Sequence, residues 1–353
     1  MRIGLTYDLA QDYLDAGFSP DDVAEFDSPA VLEAIEGAIE ALGHAPRRIG
    51  HAGALLAALS RGERWDLVFN IAEGLSTTGR SREAQVPTLL ELYAIPYTFS
   101  DPLVCALTLD KAMTKRIIRD LGLPTPRFAV VRSLADARAI DLPLPLFAKP
   151  VAEGSSKGVT GASWIRTRGD IAPVCDLLLQ RFAQPVLVET YLPGRELTVG
   201  IVGTGEHATP IAAMEIHLNE RAEQGIYSFD NKEHWQDRMT FSLATGALRD
   251  EAFDLALRAF LGLGCRDAAR VDVRQDAQGR LNFLEINPLP GLHPVKSDLP
   301  ILSRMAGMQY RQLLSRIIHS ASERISQAPA KLPPGLSHSF AERKPSTPRH
   351  APA

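Results

Sequence analysis

The sequence contains no apolar run approaching the roughly 20 residues that cross a bilayer, and Met1–Asp8 turns acidic after a few apolar positions. Neither a membrane span nor a leader segment is expected, which leaves a cytoplasmic location as the expectation. Cysteine is scarce: Cys105, Cys175 and Cys265 are odd in number and far apart, which excludes a disulfide framework and a closely spaced zinc or redox motif. A basic stripe is also missing. The 38 basic and 42 acidic residues are dispersed to a net charge of -4, so nucleic acid is not an expected partner. Nor does the P-loop spacing G-x-x-x-x-G-K-[ST] occur.

What is present is a chain of 353 residues with 45% hydrophobic content, enough for two or three packed domains. RIGLTYD reads as a strand. SPAVLEAIEGAIEALGH follows with apolar residues at helical spacing, Ser28 as N-cap, Pro29 at the first helical position and Gly43 as the stop. A helix over 53–59, the strand WDLVFNI and a helix through VPTLLELY complete an α/β domain over residues 1–100. From Leu109 a helix runs through KAMTKRIIRDLG. The short strands FAVV, LPLFAKP and GASWIR then make a strand-rich lobe over 101–185. A third segment, 186–326, opens with VLVETYLPGRELTVGIV and carries the helix DEAFDLALRAFLGLG and the strands ARVDVRQ and LNFLEIN. Beyond it, 327–353 is rich in Pro, Ala, Ser, Lys and Arg, so a disordered tail is predicted.

In ARVDVRQDAQGRLNFLEINP, the period of two puts Arg270, Asp272 and Arg274 on one strand face and Glu285 and Asn287 on one face of the return strand. A turn centred between Gln278 and Gly279 sets Asp272 opposite Glu285 and Arg270 opposite Asn287. Facing acids destabilise a sheet unless a cation lies between them, and oxygen-only ligands favour magnesium over zinc. The same residues also suit a solvated face on which Asp272 and Glu285 pair with Arg270 and Arg274.

Upstream, EGSSKG carries Gly154 and Gly158 among small hydroxyl residues, as a phosphate-covering loop requires; an ordinary hairpin turn has the same composition. Lys149 ends the strand before it, and Lys111 begins the helix after LTLD; each is a candidate point charge for a triphosphate or an ordinary solvated lysine. Glu189 and Glu196 flank the turn LPGR. There a strand edge can read adenine and a carboxylate can accept ribose hydroxyls, or both can be surface glutamates.

Taken in order, LDK, AKPVAEGSSKGV, VETYLPGRELTV, ARVDV and LEINPLPGL resemble the ATP-grasp ligases, most closely the D-alanine–D-alanine ligases, over residues 69–317. The resemblance implies an α/β (α+β) ATP-grasp fold: a Rossmann-like pre-ATP-grasp domain followed by two lobes clasping ATP. It implies that Lys111 and Lys149 contact phosphates and that Ser155 and Ser156 belong to the covering loop. Glu189, Tyr191 and Leu192 would line adenine, and Glu196 would bind ribose. Lys232 would close over the γ-phosphate on a mobile loop. Asp272, Glu285 and Asn287 would hold Mg2+, or Mn2+ in its place, while Arg270 and the Gly291 N–H would steady the oxyanion. In the N-terminal domain Glu25, with Asp27 second, is the candidate for the first substrate's ammonium.

The sequence departs from the family at the substrate end. NIAEG replaces a His-Gly segment, Glu233 stands where a tyrosine is usual, and HPVKSD replaces a serine-containing stretch. In that last stretch Lys296 or Ser297 is the candidate for a second carboxylate, and His293 reads as structural. The implied reaction is Mg-ATP-dependent amide formation between two small amino acids through an acyl phosphate, D-alanine being the favoured substrate. The alternatives are a ligase for another amino acid or amine pair, a regulatory protein that binds nucleotide without turnover, and a kinase that stops at phosphorylation. A homodimer is expected by family analogy.

Overall fold

The computed structural model describes residues 1–20, 22–74, 79–154, 157–222 and 235–327. Ser155, Ser156, Lys232, Glu233 and the tail from 328 onward therefore lie outside the described residues.

The first sheet is parallel. β1 (Arg2–Thr6) is buried beyond its first residue and lies between β2 (Ala45–Gly50) and β3 (Leu67–Asn70), as expected of a strand covered on both faces. After β1 come a short α1 (Ala10–Asp15) and then α2 (Pro29–Ala41), with Ser28 extended before it and Pro29 in its first turn. Gly43, at φ +81, turns the chain back toward β2. Next come α3 (Ala52–Ser60) and α4 (Gln85–Leu92).

Where one helix was predicted from Leu109 there are two, α5 (Pro102–Leu109) and α6 (Lys111–Asp120). Asp110 separates them: its backbone is extended, and its carboxylate accepts the N–H groups of Ala112 and Met113. Lys111 is thereby fixed in the first turn of α6.

The second sheet comprises β4 (Phe128–Val131), β5 (Leu146–Pro150), β6 (Trp164–Ile165) and β7 (Val186–Thr190) in the antiparallel order β4-β7-β5-β6. Two helices accompany it, α7 (Leu134–Arg138) and α8 (Ile171–Phe182). This corrects the grouping of 186–190 with the third segment. VLVET needs partners on both edges, and β4 and β5 supply them. The predicted strand GASWIR shrinks to two residues because Gly161–Ser163 form a 3-10 turn.

The third sheet has the order β10-β9-β8-β11-β12. Its elements are β8 (Glu196–Val202), β9 (Thr209–Leu218), a short α9 (Trp235–Arg238), β10 (Met239–Leu243), α10 (Gly246–Gly262), β11 (Ala268–Gln275) and β12 (Leu281–Asn287), followed by α11 (Asp298–Met305) and α12 (Tyr310–Gln327). One face buries Val199, Val271 and Val273 against Ala256 and Phe260 of α10, and Val104 and Ile118 of α5 and α6 join that core. Those two helices thus pack on this sheet, although the sequence division placed them with the middle lobe. Val202, Met214 and Ala268 point the other way, into a core shared with α11, α12, α2 and β1. Arg270 and Asp272 share the parity of Ala268, so strand alternation aims them away from α10 and toward α11.

Candidate active site

β11 and β12 pair with Asp272 opposite Glu285 and Arg270 opposite Asn287, the predicted registry. It does not run unbroken to the turn. A bulge follows Asp272, Val273 pairs with Phe283, and Leu284 is the extra residue. Leu284 and Glu285 consequently both reach the same cleft. At the turn, Gly279 adopts φ +79, which a residue without Cβ does at no steric cost.

Asp272 is held on both oxygens: Oδ1 accepts Thr198 Oγ1 at 2.8 Å and Oδ2 accepts Arg270 Nη2 at 3.1 Å. Arg270 Nη1 donates to Asp298 Oδ2 at 2.8 Å, and its Nη2 lies 3.9 Å from Glu285 Oε1. Asn287 Oδ1 accepts the Leu289 N–H at 3.0 Å, which orients the amide. Arg274 turns from the two acids to Glu196, at 2.9 Å.

Lys111 and Lys149 converge on Glu285, each with Nζ 3.7 Å from Oε2. Lys111 Nζ also donates to the Glu153 carbonyl. Glu189, predicted for the adenine site, lines the cleft, but its carboxylate binds Lys149 at 3.2 Å and the fully buried Lys115 at 2.8 Å. Burial opposes the charge of Lys149, yet Glu189 and Glu285 outweigh it and raise the lysine above its usual value. For Lys115 burial prevails against the pull of Glu189 and lowers it to about 8. Burial likewise opposes the Glu189 charge, but the two ammoniums keep that carboxyl below the usual range.

The cleft between the second and third sheets encloses about 770 Å³ of space, counting its open mouth. At its far end Tyr191 stacks on Trp164 with ring centroids 4.7 Å apart, and Arg274 Nη2 donates to the Tyr191 hydroxyl at 3.1 Å. Leu192 and Glu196 complete this wall. An apolar, aromatic slot thus leads to a carboxylate, and then to two lysines and the acid hairpin.

In the N-terminal domain Glu25 pairs with Arg82, which also donates to the Ala152 carbonyl at 3.1 Å. A Cβ on Gly154 would collide with Glu25 Oε1, so a side chain there would displace the carboxylate. Asp27 follows two residues on from Glu25. Its N–H donates to the Asp8 carbonyl at 2.9 Å, and burial, then the Asp8 charge, raises its carboxyl to about 8. Gly291 is exposed and lies against Ser297, whose Oγ accepts the His293 N–H at 3.0 Å. His293 Nδ1 in turn accepts the N–H groups of Val295 and Lys296, holding a turn, while the Lys296 side chain is exposed.

Among the described residues no three of His, Cys, Asp and Glu gather into a metal cluster. The hairpin offers two carboxylates and one amide oxygen on a single face. That hard, incomplete set suits a magnesium ion that keeps some waters and shares phosphate oxygens.

Sequence reasoning missed Lys115, Thr198, Leu284 and Asp298. Lys115 lies on the Lys111 side of α6, and that helical spacing was the available signal. Thr198 faces Asp272 across β8 and β11, and Asp298 reaches Arg270 only through tertiary packing.

The model of the D-ala D-ala ligase C-terminus family matches residues 117–319. The D-alanine–D-alanine ligase of Bordetella petrii is 36% identical over 247 residues, 69% of this chain and 72% of that protein. That of Stutzerimonas stutzeri is 35% identical over 301 residues, 83% of this chain and 88% of its own length. The solved structure of the Bacillus anthracis D-alanine–D-alanine ligase complexed with ATP matches with a TM-score of 0.67 at 20% identity, covering 93% of this chain and 99% of that one.

Proposed function

The chain belongs to the D-alanine–D-alanine ligase family of ATP-grasp enzymes, and from that premise we propose that it joins two small amino-acid substrates by an amide bond at the expense of ATP. The observation that carries this reading is the meeting of Lys111 and Lys149 at Glu285, directly across from Asp272, in one cleft.

A carboxylate approaching a triphosphate is repelled, and the ammoniums of Lys111 and Lys149 offset that repulsion while holding the phosphate oxygens. Magnesium, or manganese in its place, held by Asp272, Glu285 and Asn287 would supply further positive charge there. A substrate carboxylate oxygen takes the γ-phosphoryl group, ADP leaves, and an acyl phosphate remains. The second substrate's amine attacks the acyl carbon, loses a proton, and phosphate departs. Arg270 and the Gly291 N–H stabilise the oxyanion of that step, and Asp298 keeps the guanidinium in place. Ser155 and Ser156 would cover the phosphates and Lys232 would close over them. Tyr191, Leu192 and Glu189 would border adenine, and Glu196 the ribose. Glu25 takes the first ammonium, and Lys296 or Ser297 the second carboxylate.

We further assign three units, divided near residues 100 and 190, a cytoplasmic location and a homodimer; among the described residues no helix is long and apolar enough to cross a membrane.

The test is phosphate release with Mg-ATP over D- and L-amino acids, singly and in pairs, with product masses recorded. A condensed product carrying one new amide supports the reading. ATP binding without release, or a phosphorylated product with no amide, would overturn it.

A further inference from the structure

Lys115 does not line the cleft, yet α6 carries it fully buried, and an ammonium withdrawn from water is costly unless its partners compensate. Three oxygens surround its three N–H groups. Nζ lies 2.8 Å from Glu189 Oε2 and donates to Thr125 Oγ1 at 3.1 Å and to the Phe283 carbonyl at 3.3 Å. Glu189 belongs to β7 of the second sheet and Phe283 to β12 of the third, so one ammonium ties together the two sheets that bound the cleft.

Phe283 is also where the hairpin departs from regular pairing. Continued from the Val273–Phe283 pair without a bulge, the ladder would set Leu284 opposite Asp272 and Glu285 opposite Val271, on the face buried against α10. The bulge at Leu284 returns Glu285 to the face of Asp272 and Arg270. β12 is the edge strand of its sheet, so among the described residues no further strand fixes that irregularity. A loop and two side chains do so instead. The Phe283 N–H donates to the Pro124 carbonyl at 2.8 Å, and the Phe283 carbonyl accepts Thr125 Oγ1 at 2.9 Å alongside Lys115 Nζ.

Resting on the ligase reading above, we propose that Lys115 is a positioning residue for the acid hairpin. With Thr125 it pins the Phe283 carbonyl beside the bulge, which keeps Glu285 in the cleft opposite Asp272 and 3.7 Å from both Lys111 and Lys149. Through Glu189, which also binds Lys149 at 3.2 Å, it holds the second sheet to the same hairpin. Its ammonium touches neither phosphate nor substrate and acts through Glu285 and Lys149.

The test uses two near-isosteric variants of the full chain, Lys115→Met and Thr125→Val. Binding of Mn2+ with a non-hydrolysable ATP analogue is titrated by electron paramagnetic resonance, and amide hydrogen exchange of β12 is followed without ligand. Both variants are expected to weaken Mn2+ binding, Lys115→Met by about 10- to 100-fold, with exchange hastened in β12 ahead of the rest of the third sheet. Phosphate release with Mg-ATP should fall in the same order. Wild-type Mn2+ affinity in either variant overturns the proposal, as does exchange hastened uniformly over the chain, the mark of a residue that only adds stability. Should Lys115→Met fail to fold, Thr125→Val, which removes no charge, decides the outcome alone. If the wild type itself forms no condensed product from any pair of amino acids, the ligase reading falls, while Mn2+ affinity and exchange still judge the positioning role.

Discussion

Arg270 and Asp298 form an ion pair at 2.8 Å that fastens the acid hairpin to the first turn of α11, with both side chains nearly buried. The guanidinium that we propose steadies the oxyanion is thus held from two sides, by Asp298 on Nη1 and Asp272 on Nη2. On that proposal Asp298 is a positioning residue, whose carboxylate need not touch substrate.

Asp298→Asn is expected to lower kcat by about 10- to 100-fold, the worth of one charge-assisted hydrogen bond of roughly 1.5–3 kcal/mol. KM for ATP should stay near the wild-type value, because Lys111 and Lys149 are untouched. Steady-state kinetics with ATP and amino acid varied separately separates the two roles. An equal rise in both KM values with kcat intact points to a structural role alone.

Glu285→Gln keeps shape and registry but removes the charge on which Lys111, Lys149 and Arg270 converge. Turnover should fall by more than about 100-fold, and the magnesium concentration for half-maximal rate should rise. A magnesium titration at saturating ATP, with circular dichroism as the check on folding, measures both. Wild-type magnesium dependence in the variant excludes the hairpin as the metal site.

The hairpin was legible because a strand's period of two fixes which side chains share a face, so Asp272, Glu285 and Arg270 could be aligned from spacing. The bulge at Leu284 could not be read that way, since nothing in LNFLEIN distinguishes a bulged leucine from a paired one. β7 was assigned by its neighbours in the chain, but its partners β4 and β5 come from far upstream. Lys115 resembles any solvated lysine in KAMTKR; only the buried Glu189 beside it shows otherwise. NIAEG departs from the family's His-Gly segment, so no role was assigned to Glu73.

Asp27, buried beside the charge of Asp8, gives the fold a pH signature. Its folded-state carboxyl lies at about 8, above the ordinary 3.8. A carboxyl raised in this way contributes stability that is fully present below its unfolded value and is lost as pH rises through its folded value. Asp27→Asn removes that loss. Its melting temperature relative to wild type should climb as pH increases from about 4 to about 8. Thermal denaturation across that window tests the sign. A difference that shrinks with rising pH contradicts the placement of Asp27 among like charges.

Asp267 joins three parts of the molecule from a fully buried position. Its carboxylate accepts the Phe99 N–H at 2.8 Å, Ser320 Oγ at 2.8 Å, Thr204 Oγ1 at 3.1 Å and the Arg324 guanidinium of α12. Its backbone has φ +64, a conformation that asparagine also tolerates. Asp267→Asn therefore tests the charge without straining the chain, and asparagine cannot accept from all four donors with both atoms of its amide. Breaking a buried ion pair while its partner stays in place costs about 3–5 kcal/mol, so chemical denaturation should show a midpoint shift of that size. Adding Arg324→Met to Asp267→Asn should recover part of the loss, because the unpaired guanidinium is then gone. If the single variant is as stable as wild type, the ion pair does not hold α12 to the segment that ends the N-terminal domain.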